Sequence, residues 1–427
     1  MSHTLNGLSA KNQNGRRAAT QGNTEESAAP RSPIFEKCDR FTKAEELRHL
    51  GLYPYFRMIE SAQDTEVTID GRRMLMLGSN SYMGLTNDPR IKEAALDATR
   101  RYGTGCAGSR FLNGTLDIHI QLEEKIAEWM GKESCIVFTT GYQTNLGVIS
   151  ALVGREDNVF IDRTDHASIV DGARLGFGKV HKFIHNDISD LDRMLEMSNA
   201  KGKLIVVDGI YSMEGDIAKL PDIVRVARKH QAGILVDDAH SVGVLGHSGN
   251  GTSDHFGLTD RVEIIAGTFS KSLASIGGYV AADKAMIDYL KHHARALIFS
   301  ASMAPSCVAA ASKSIDIIRD EPERRENLWR NTNFMIDSFR SMGFDTGDSE
   351  TPIIPLVIGD MEKCFAMWRM LHDAGIFVNP VVSPATPPSR SLIRVSVMAT
   401  HTIDQLTRAL EIIEGISRKL NLMETEV

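Results

Sequence analysis

The 427-residue chain has few of the features that mark secreted, membrane or nucleic-acid-binding proteins. Its five cysteines are odd in number and include no Cys-x-x-Cys pair, so we expect reduced thiols rather than a disulfide framework or a zinc site. No apolar run approaches the roughly 18 residues that a membrane-spanning helix requires. The net charge of −7 is spread along the chain, which excludes a basic footprint for nucleic acid. The sequence therefore predicts a cytoplasmic protein that contacts a membrane at most peripherally, at its inner surface.

The predicted organisation is a tail, an arm, a large domain and a smaller one. Residues 1–33 are rich in small polar residues without an apolar segment, which is typical of disorder and unlike a secretory signal. Residues 34–75 are predicted to form a helical arm, reaching about Arg57, and a hairpin. In residues 76–320, short apolar runs alternate with helix-length segments, which indicates an α/β fold with a mostly parallel, doubly wound sheet. Residues 321–427 are predicted to form a smaller α+β domain.

One lysine stands where a nucleophile is expected. Lys271 lies in the segment Gly267–Ser272, directly after the apolar run Val262–Ala266 and shortly before Gly277-Gly278. A lysine is normally protonated at neutral pH, but burial beside apolar or cationic groups lowers its pKa and permits Schiff-base chemistry. That chemistry usually involves pyridoxal 5'-phosphate (PLP). Taken alone, however, a Ser-Lys dipeptide is more often a surface turn.

A second stretch strengthens the case for PLP. Asp237 ends the apolar run Gly233–Val236, and His240 follows three residues later. PLP withdraws electrons only while its pyridine nitrogen is protonated, and an ionised carboxylate against that nitrogen keeps the proton there. The alternative is that Asp237 or Asp238 caps a turn and that His240 is an ordinary loop histidine. Lys271 makes this alternative the weaker one.

These Asp-x-x-His and Thr-x-Ser-Lys elements, the second followed by Gly-Gly, resemble the α-oxoamine synthases. They are PLP-dependent C-acyltransferases of the aspartate aminotransferase superfamily (fold type I) and condense an amino acid with an acyl thioester. The resemblance covers about Phe35 to Leu420. It implies a large PLP-binding domain with a seven-stranded, mostly parallel sheet, a homodimer with shared active sites, and no metal ion.

The resemblance also assigns cofactor contacts. His166 is expected to stack on the PLP ring, and His240 to bind its phenolic oxygen. The phosphate group is expected at the turn after Phe138, because backbone N–H groups at a helix N-terminus bind anions. The residues expected around the phosphate are Gly141, Tyr142, Thr268, Ser270 and, donated across the dimer, Ser300.

Substrate contacts follow from the same resemblance. Arg394 is expected to bind the amino-acid carboxylate through its planar guanidinium, and Arg390 is a weaker candidate. Without the resemblance, an arginine on an edge strand would explain Arg394 equally well. Asn80 and Tyr82 belong to an Asn-x-Tyr-x-Gly loop that is expected to reach the site.

The expected catalytic residues are Lys271, His166, Asp237 and His240. In the mechanism that the resemblance implies, the lysine amine removes the Cα proton of the amino acid. The resulting carbanion is delocalised into the cofactor and attacks the acyl thioester.

Three stretches resemble the branch of this family that condenses L-serine with palmitoyl-CoA, giving 3-ketosphinganine for sphingolipid synthesis. They are Gly103–Thr115, Thr268–Ser272 and Ser383–Pro388. Some bacterial members carry an arginine just before the last stretch, where this chain has Val382. The expected partners are therefore L-serine and a long-chain acyl-CoA, with an acyl carrier protein left open as the acyl donor.

Other functions remain open at this point. A glycine- or alanine-using synthase would share the same motifs: 2-amino-3-ketobutyrate CoA ligase, 8-amino-7-oxononanoate synthase or 5-aminolevulinate synthase. A non-catalytic partner subunit would keep the fold but lose the lysine, so Lys271 argues against it. A PLP-fold transcription regulator would need a DNA-binding module, for which the tail is too short.

Overall fold

The computed structural model describes residues 32–422. The tail predicted for residues 1–33 lies almost entirely outside the described residues. By its internal contacts the chain separates into one unit that ends at Tyr53 and another that begins at Pro54, and each is described by itself.

The first unit contains two short helices instead of one continuous helical arm. A 3₁₀ turn at Pro33–Phe35 precedes α1 (Glu36–Asp39) and α2 (Lys43–His49). The prediction that the helical arm continues to about Arg57 is therefore wrong beyond His49. Gly51 adopts a left-handed φ of 68°, and the following Pro54 lacks a backbone donor and disfavours helical conformation in the residue before it.

The predicted hairpin at the start of the second unit is confirmed. Strands β1 (Glu66–Ile69) and β2 (Arg72–Met76) pair antiparallel. Asp70 and Gly71 form the turn with φ values of 50° and 69°. Two positive φ angles are the requirement of a type I′ turn, whose twist matches that of the strands, and Asp-Gly meets it with little strain.

A seven-stranded sheet forms the centre of the molecule and confirms the predicted fold class. Its strands are β3 (Ser134–Phe138), β4 (Asp157–Asp162), β5 (Lys179–Phe183), β6 (Gly202–Asp208), β7 (Gly233–Asp237), β8 (Ile264–Thr268) and β9 (Gly278–Ala282). Their order is β3-β9-β8-β7-β6-β4-β5, and β4 to β8 are mutually parallel.

Strand β9 is the first element of secondary structure after Lys271. It lies between β3 and β8 and runs antiparallel to both. All five of its residues are buried, but its glycine and two alanines give little strand propensity. Its position in the sheet, rather than its local sequence, makes it a strand.

Helices cover both faces of this sheet. They are α3 (Pro89–Tyr102), α4 (Asp117–Met130), α5 (Gly141–Leu152), α6 (Ala167–Leu175), α7 (Ile188–Glu196), α8 (Leu220–Lys229), α9 (Thr252–His255), α10 (Lys284–His293), α11 (Arg295–Ile298), α12 (Pro305–Asp320) and α13 (Pro322–Ser341). Helices α12 and α13 are separated at Glu321-Pro322, because proline cannot continue the hydrogen-bonding pattern of the preceding helix.

The strands bury apolar side chains on both faces. In β6, Ile205 and Val207 belong to one apolar cluster, whereas Val206 between them belongs to the cluster on the other side. Successive side chains of a strand point to opposite faces, so a continuous apolar run fits a sheet that is covered twice.

The C-terminal elements form a smaller sheet with its own apolar cluster. They are β10 (Ile353–Gly359), α14 (Met361–Asp373), β11 (Ile376–Phe377), β12 (Asn379–Val381), β13 (Ser391–Ser396) and α15 (Ile403–Lys419). Strand β13 lies between β10 and β12. Strand β11 does not belong to this sheet, because it pairs in parallel with β2. Among residues 32–422, no helix is long and apolar enough to cross a membrane.

Two buried histidines connect distant backbone segments while remaining neutral. His119 Nδ1 accepts a hydrogen bond from the backbone of Leu116 (3.1 Å), and its Nε2 donates to the carbonyl of Met303 (3.2 Å). His401 is arranged in the same way between Met398 N (2.9 Å) and Met76 O (3.1 Å). Burial lowers the pKa of both imidazoles to about 4.

We expect His401 to make the protein sensitive to acid. A histidine with a lowered native pKa stabilises the fold fully above its unfolded pKa of about 6.5, and this contribution is lost as the pH falls towards 4. Lowering the pH from about 7.5 to about 5 should cost the wild type about 2 kcal/mol through this residue. His401→Gln should lack that component, which urea unfolding of both proteins at both pH values measures. Equal losses in the two proteins would contradict the prediction.

Candidate active site

A cavity of about 320 Å³ opens where β4, β6, β7 and β8 end. It is lined by the following residues that the sequence singled out: Gly141, Tyr142, His166, Asp237, His240, Thr268, Ser270 and Lys271. Asn145, Ser168 and Asp208 line it as well. Ligands of open α/β sheets bind outside the carboxyl ends of the strands, and this cavity has that location.

Lys271 follows β8 and reaches this cavity. Burial lowers the pKa of its amine to about 8, against the opposing effect of Asp237 and Asp208, while Arg394 lowers it further. At pH 7 about a tenth of the amine is therefore unprotonated, against less than about a thousandth for an ordinary lysine. This is the property that an amine nucleophile or general base needs.

Asp237 ends β7 and is almost fully buried. Its Oδ2 accepts a hydrogen bond from Asn145 Nδ2 (2.6 Å), and its Oδ1 accepts one from the backbone of Ala239 (2.9 Å). Both carboxylate oxygens are thus fixed in direction. This rigid carboxylate is suited to hold a cationic ring nitrogen.

Asn145 lines the cavity but was not predicted from the sequence. Its Nδ2 also donates to Ser168 Oγ (2.9 Å), which in turn lies 2.7 Å from His166 Nδ1. The amide therefore links Asp237 to His166. The available signal was its spacing, because Asn145 lies four residues after Gly141 in α5 and so occupies the same helix face.

His166 caps α6 and is held as a neutral imidazole. Its Nδ1 accepts a hydrogen bond from the backbone of Ser168 (3.2 Å), so the ring proton resides on Nε2. Its own backbone N–H donates to Asp208 Oδ2 (2.9 Å). Burial lowers the pKa of His166, and its ring meets that of Tyr142 edge-on at 6.3 Å.

Arg394 joins the group from the smaller sheet. It lies on the central strand β13, not on an edge, and is 5% exposed. Its Nε donates to the carbonyl of Ser212 (2.7 Å), its Nη1 to Ser396 Oγ (2.7 Å), and its Nη2 to Asn80 Oδ1 (3.1 Å). The weaker candidate Arg390 lies in an exposed loop.

Tyr82 connects Arg394 with the cavity. Its hydroxyl lies 2.7 Å from His240 Nδ1, donates to Asn80 Oδ1 (3.3 Å) and accepts from Arg394 Nη2 (3.4 Å). Burial raises the pKa of the Tyr82 phenol, and burial also lowers the pKa of the His240 imidazole. The predicted residues Asn80, Tyr82, His240 and Arg394 therefore form one hydrogen-bonded group.

The turn before α5 has the geometry of an anion-binding site. Thr140 caps the helix, with its Oγ1 accepting from Gln143 N (3.1 Å). A Cβ on Gly141 would lie 2.7 Å from side-chain atoms of Thr268, so this close approach requires glycine. Thr268 Oγ1 lies 2.9 Å from Ser270 Oγ, which places two hydroxyls beside the turn.

Ser300 lies against the same turn of its own chain. Its Oγ accepts a hydrogen bond from Gln143 Nε2 (3.0 Å), and Thr139 Oγ1 donates to the neighbouring carbonyl of Ala301. The predicted contact of Ser300 with a second subunit stays a prediction.

The profile of the family "Aminotransferase class I and II" matches residues 72–413. The chain belongs to this family. It is 58% identical to a serine palmitoyltransferase from Sphingobacterium spiritivorum over 379 residues, which cover 88% of this chain and 95% of that protein. An 8-amino-7-oxononanoate synthase from Symbiobacterium thermophilum is more distant, at 43% identity over 88% of this chain and 97% of its own length.

A solved structure shares the complete architecture. It is a serine palmitoyltransferase variant from S. paucimobilis with a bound PLP-myriocin aldimine, at 36% identity and a TM-score of 0.89, covering 92% of this chain and all of that chain. The fold of this chain is therefore similar to that of a serine palmitoyltransferase.

We expect the cofactor-free protein to reveal the lowered pKa of Lys271 directly. Labelling of its amine with an acylating reagent, followed by peptide mass spectrometry across a pH series, should give a midpoint near 8. Asp237→Asn should move the midpoint lower, because the carboxylate favours the ammonium form. A midpoint near the ordinary value of about 10.4 would contradict the prediction.

Proposed function

We propose that the chain is a PLP-dependent serine palmitoyltransferase. The observation that carries the proposal is that Lys271 and Asp237 line one cavity and that Arg394 lies close enough to lower the pKa of Lys271, in a chain 58% identical to a protein of that name. The overall reaction joins L-serine and palmitoyl-CoA to give 3-ketosphinganine, CO₂ and free CoA.

The side chains of the cavity fit PLP. Asp237 would hold a proton on the pyridine nitrogen, His166 would lie against the ring face, and His240 would hydrogen-bond the phenolic oxygen. The turn at Gly141-Tyr142, with Thr268 and Ser270, would bind the phosphate through N–H and O–H donors. When bound, the cofactor supplies an electron sink that makes the Cα–H bond of an amino acid acidic.

Arg394 would bind the carboxylate of serine. Its guanidinium is already oriented by three acceptors, including Asn80, so little conformational entropy is lost on binding. Tyr82 couples this arginine to His240, so the carboxylate pocket and the cofactor pocket form one continuous network.

Lys271 would act as the general base for the Cα proton. Its pKa of about 8 keeps part of the amine unprotonated, while leaving it basic enough to accept a proton. The lysine would also attach the cofactor, so its charge state would affect both roles. As the new C–C bond forms, the C–S bond of the thioester breaks and CoA leaves. The resulting β-keto acid then loses CO₂, which completes the reaction.

The proposal extends to the assembly. A homodimer would place Ser300 of one subunit near the phosphate of the other. We also keep the domain boundaries that were predicted from the sequence as part of the proposal. An acyl carrier protein remains an alternative acyl donor. We propose that the protein is cytoplasmic and contacts the inner membrane surface peripherally, because the acyl donor and the product are amphiphiles.

The second candidate is another α-oxoamine synthase. The 43% identity to an 8-amino-7-oxononanoate synthase favours it, because such an enzyme would use the same lysine, aspartate and histidines. The amino acid and the acyl group distinguish the candidates.

A substrate comparison tests the choice. The visible absorbance of the purified holoprotein should respond to L-serine at lower concentration than to glycine or L-alanine, and adding palmitoyl-CoA should yield 3-ketosphinganine by mass spectrometry. A preference for glycine or alanine would move the protein to another branch. The absence of a visible band after reconstitution with PLP would contradict the cofactor assignment.

Arg394 and Arg390 provide a matched pair of variants. Arg394→Ala should raise the KM for L-serine about 30- to 100-fold, because charged hydrogen bonds to the carboxylate are lost. Arg390→Ala should leave that KM within about twofold, because surface substitutions rarely perturb a distant site. Steady-state kinetics at saturating palmitoyl-CoA measures both. A larger effect from Arg390 would reverse the assignment.

A further inference from the structure

An ion-paired, partly buried histidine lies outside the cavity lining. His185 follows β5, and its Nδ1 and Nε2 each lie 3.1 Å from a carboxylate, that of Asp162 and that of Asp216 respectively. The Thr164 hydroxyl is 2.7 Å from the same Nδ1. Burial disfavours the charged form, but the hydrogen bonds to both carboxylates outweigh it and raise the pKa of His185 to about 10. The imidazolium can donate to both acids at once, whereas a neutral imidazole has one donor.

His185 and its neighbour Asn186 also contact the loop that follows β6. The ring of Tyr211 meets the His185 ring edge-on at 4.4 Å, and its hydroxyl donates to Asp162 Oδ2 (3.1 Å). Asn186 donates from its side chain to Asp216 Oδ2 (2.6 Å) and to the carbonyl of Ile217 (3.1 Å). His185 and Asn186 therefore hold both ends of the segment Tyr211–Asp216.

This segment is a closed turn, which we call the 211–216 turn. Tyr211 N donates to Asp216 O (3.1 Å), and Gly215 N donates to Tyr211 O (2.9 Å). Inside it lies Ser212, whose carbonyl accepts the 2.7 Å hydrogen bond from Arg394 Nε. A side chain that fixes the turn thereby fixes one of the acceptors that orient the guanidinium.

We propose that His185 is a positioning residue for the amino-acid carboxylate: by bridging Asp162 and Asp216 it holds the 211–216 turn, and so the Ser212 carbonyl, in the place that orients Arg394. This inference rests on the proposed function of Arg394. Replacing the imidazolium by a neutral side chain leaves both carboxylates, Asp162 and Asp216, without their charged partner, which is costly and loosens the turn.

The test compares His185→Gln with His181→Gln in the holoprotein. His181 lies on β5, is partly buried like His185 and stacks on Phe160 at 4.8 Å, so it is a matched histidine control outside the 211–216 turn. His185→Gln should raise the KM for L-serine about tenfold while changing kcat and the KM for palmitoyl-CoA by less than about threefold. His181→Gln should leave all three near the wild-type values, even if it lowers the melting temperature.

A double variant separates positioning from general destabilisation. In an Arg394→Ala background, His185→Gln should raise the serine KM no further, because the guanidinium that it orients is gone. Asp216→Asn keeps the ion pair between His185 and Asp162 and should also raise the KM for L-serine, by a smaller factor than His185→Gln. This variant tests the inference if His185→Gln does not fold.

Three results would overturn the inference: an unchanged serine KM in the single variants, an equal rise in His181→Gln, or additive effects in the double variant. A wild-type protein that does not turn over L-serine would instead refute the proposed function, and the inference with it.

Discussion

The site depends on parallel strands that end together. Asp208 pairs in register with Asp237, and Asp237 with Ala266, so the ends of β6, β7 and β8 lie side by side. Lys271 follows the last of these strands within three residues. Distances between functional groups are therefore set by the spacing of hydrogen-bonded strands, which buried apolar side chains on both faces hold rigid.

Burial and neighbouring charges shift the pKa values of the groups that lie together at these strand ends. Burial, together with the nearby Asp237, raises the pKa of Asp208, so the two carboxyls do not both need to carry charge in a confined space. Burial and the positive charge of Arg394 lower the pKa of Lys271, whereas Asp237 and Asp208 raise it. The outcome is an amine with a lowered pKa, in the same cavity as the turn at the start of α5.

The sequence predicts most of this arrangement because local signals are strong at strand ends. The apolar runs mark β3 to β8, and Asp237 and Lys271 stand at or just after the ends of two of them. Strand β9 and the pairing of β11 with β2 were missed, because both depend on contacts between residues far apart in the chain. Asn145 and His185 were missed for a similar reason. Their significance comes from the carboxylates that they contact, and neither residue type is unusual where it stands. The roles of the individual site residues remain predictions.

The most direct test of the account is the chemical identity of the residue that carries the cofactor. Borohydride reduction of the PLP-loaded protein, followed by proteolysis and peptide mass spectrometry, should place a pyridoxyl-phosphate adduct on the peptide that contains Lys271 and on no other lysine. Attachment to a different lysine, or no covalent adduct in a protein that binds PLP, would contradict the assignment on which the proposed chemistry rests.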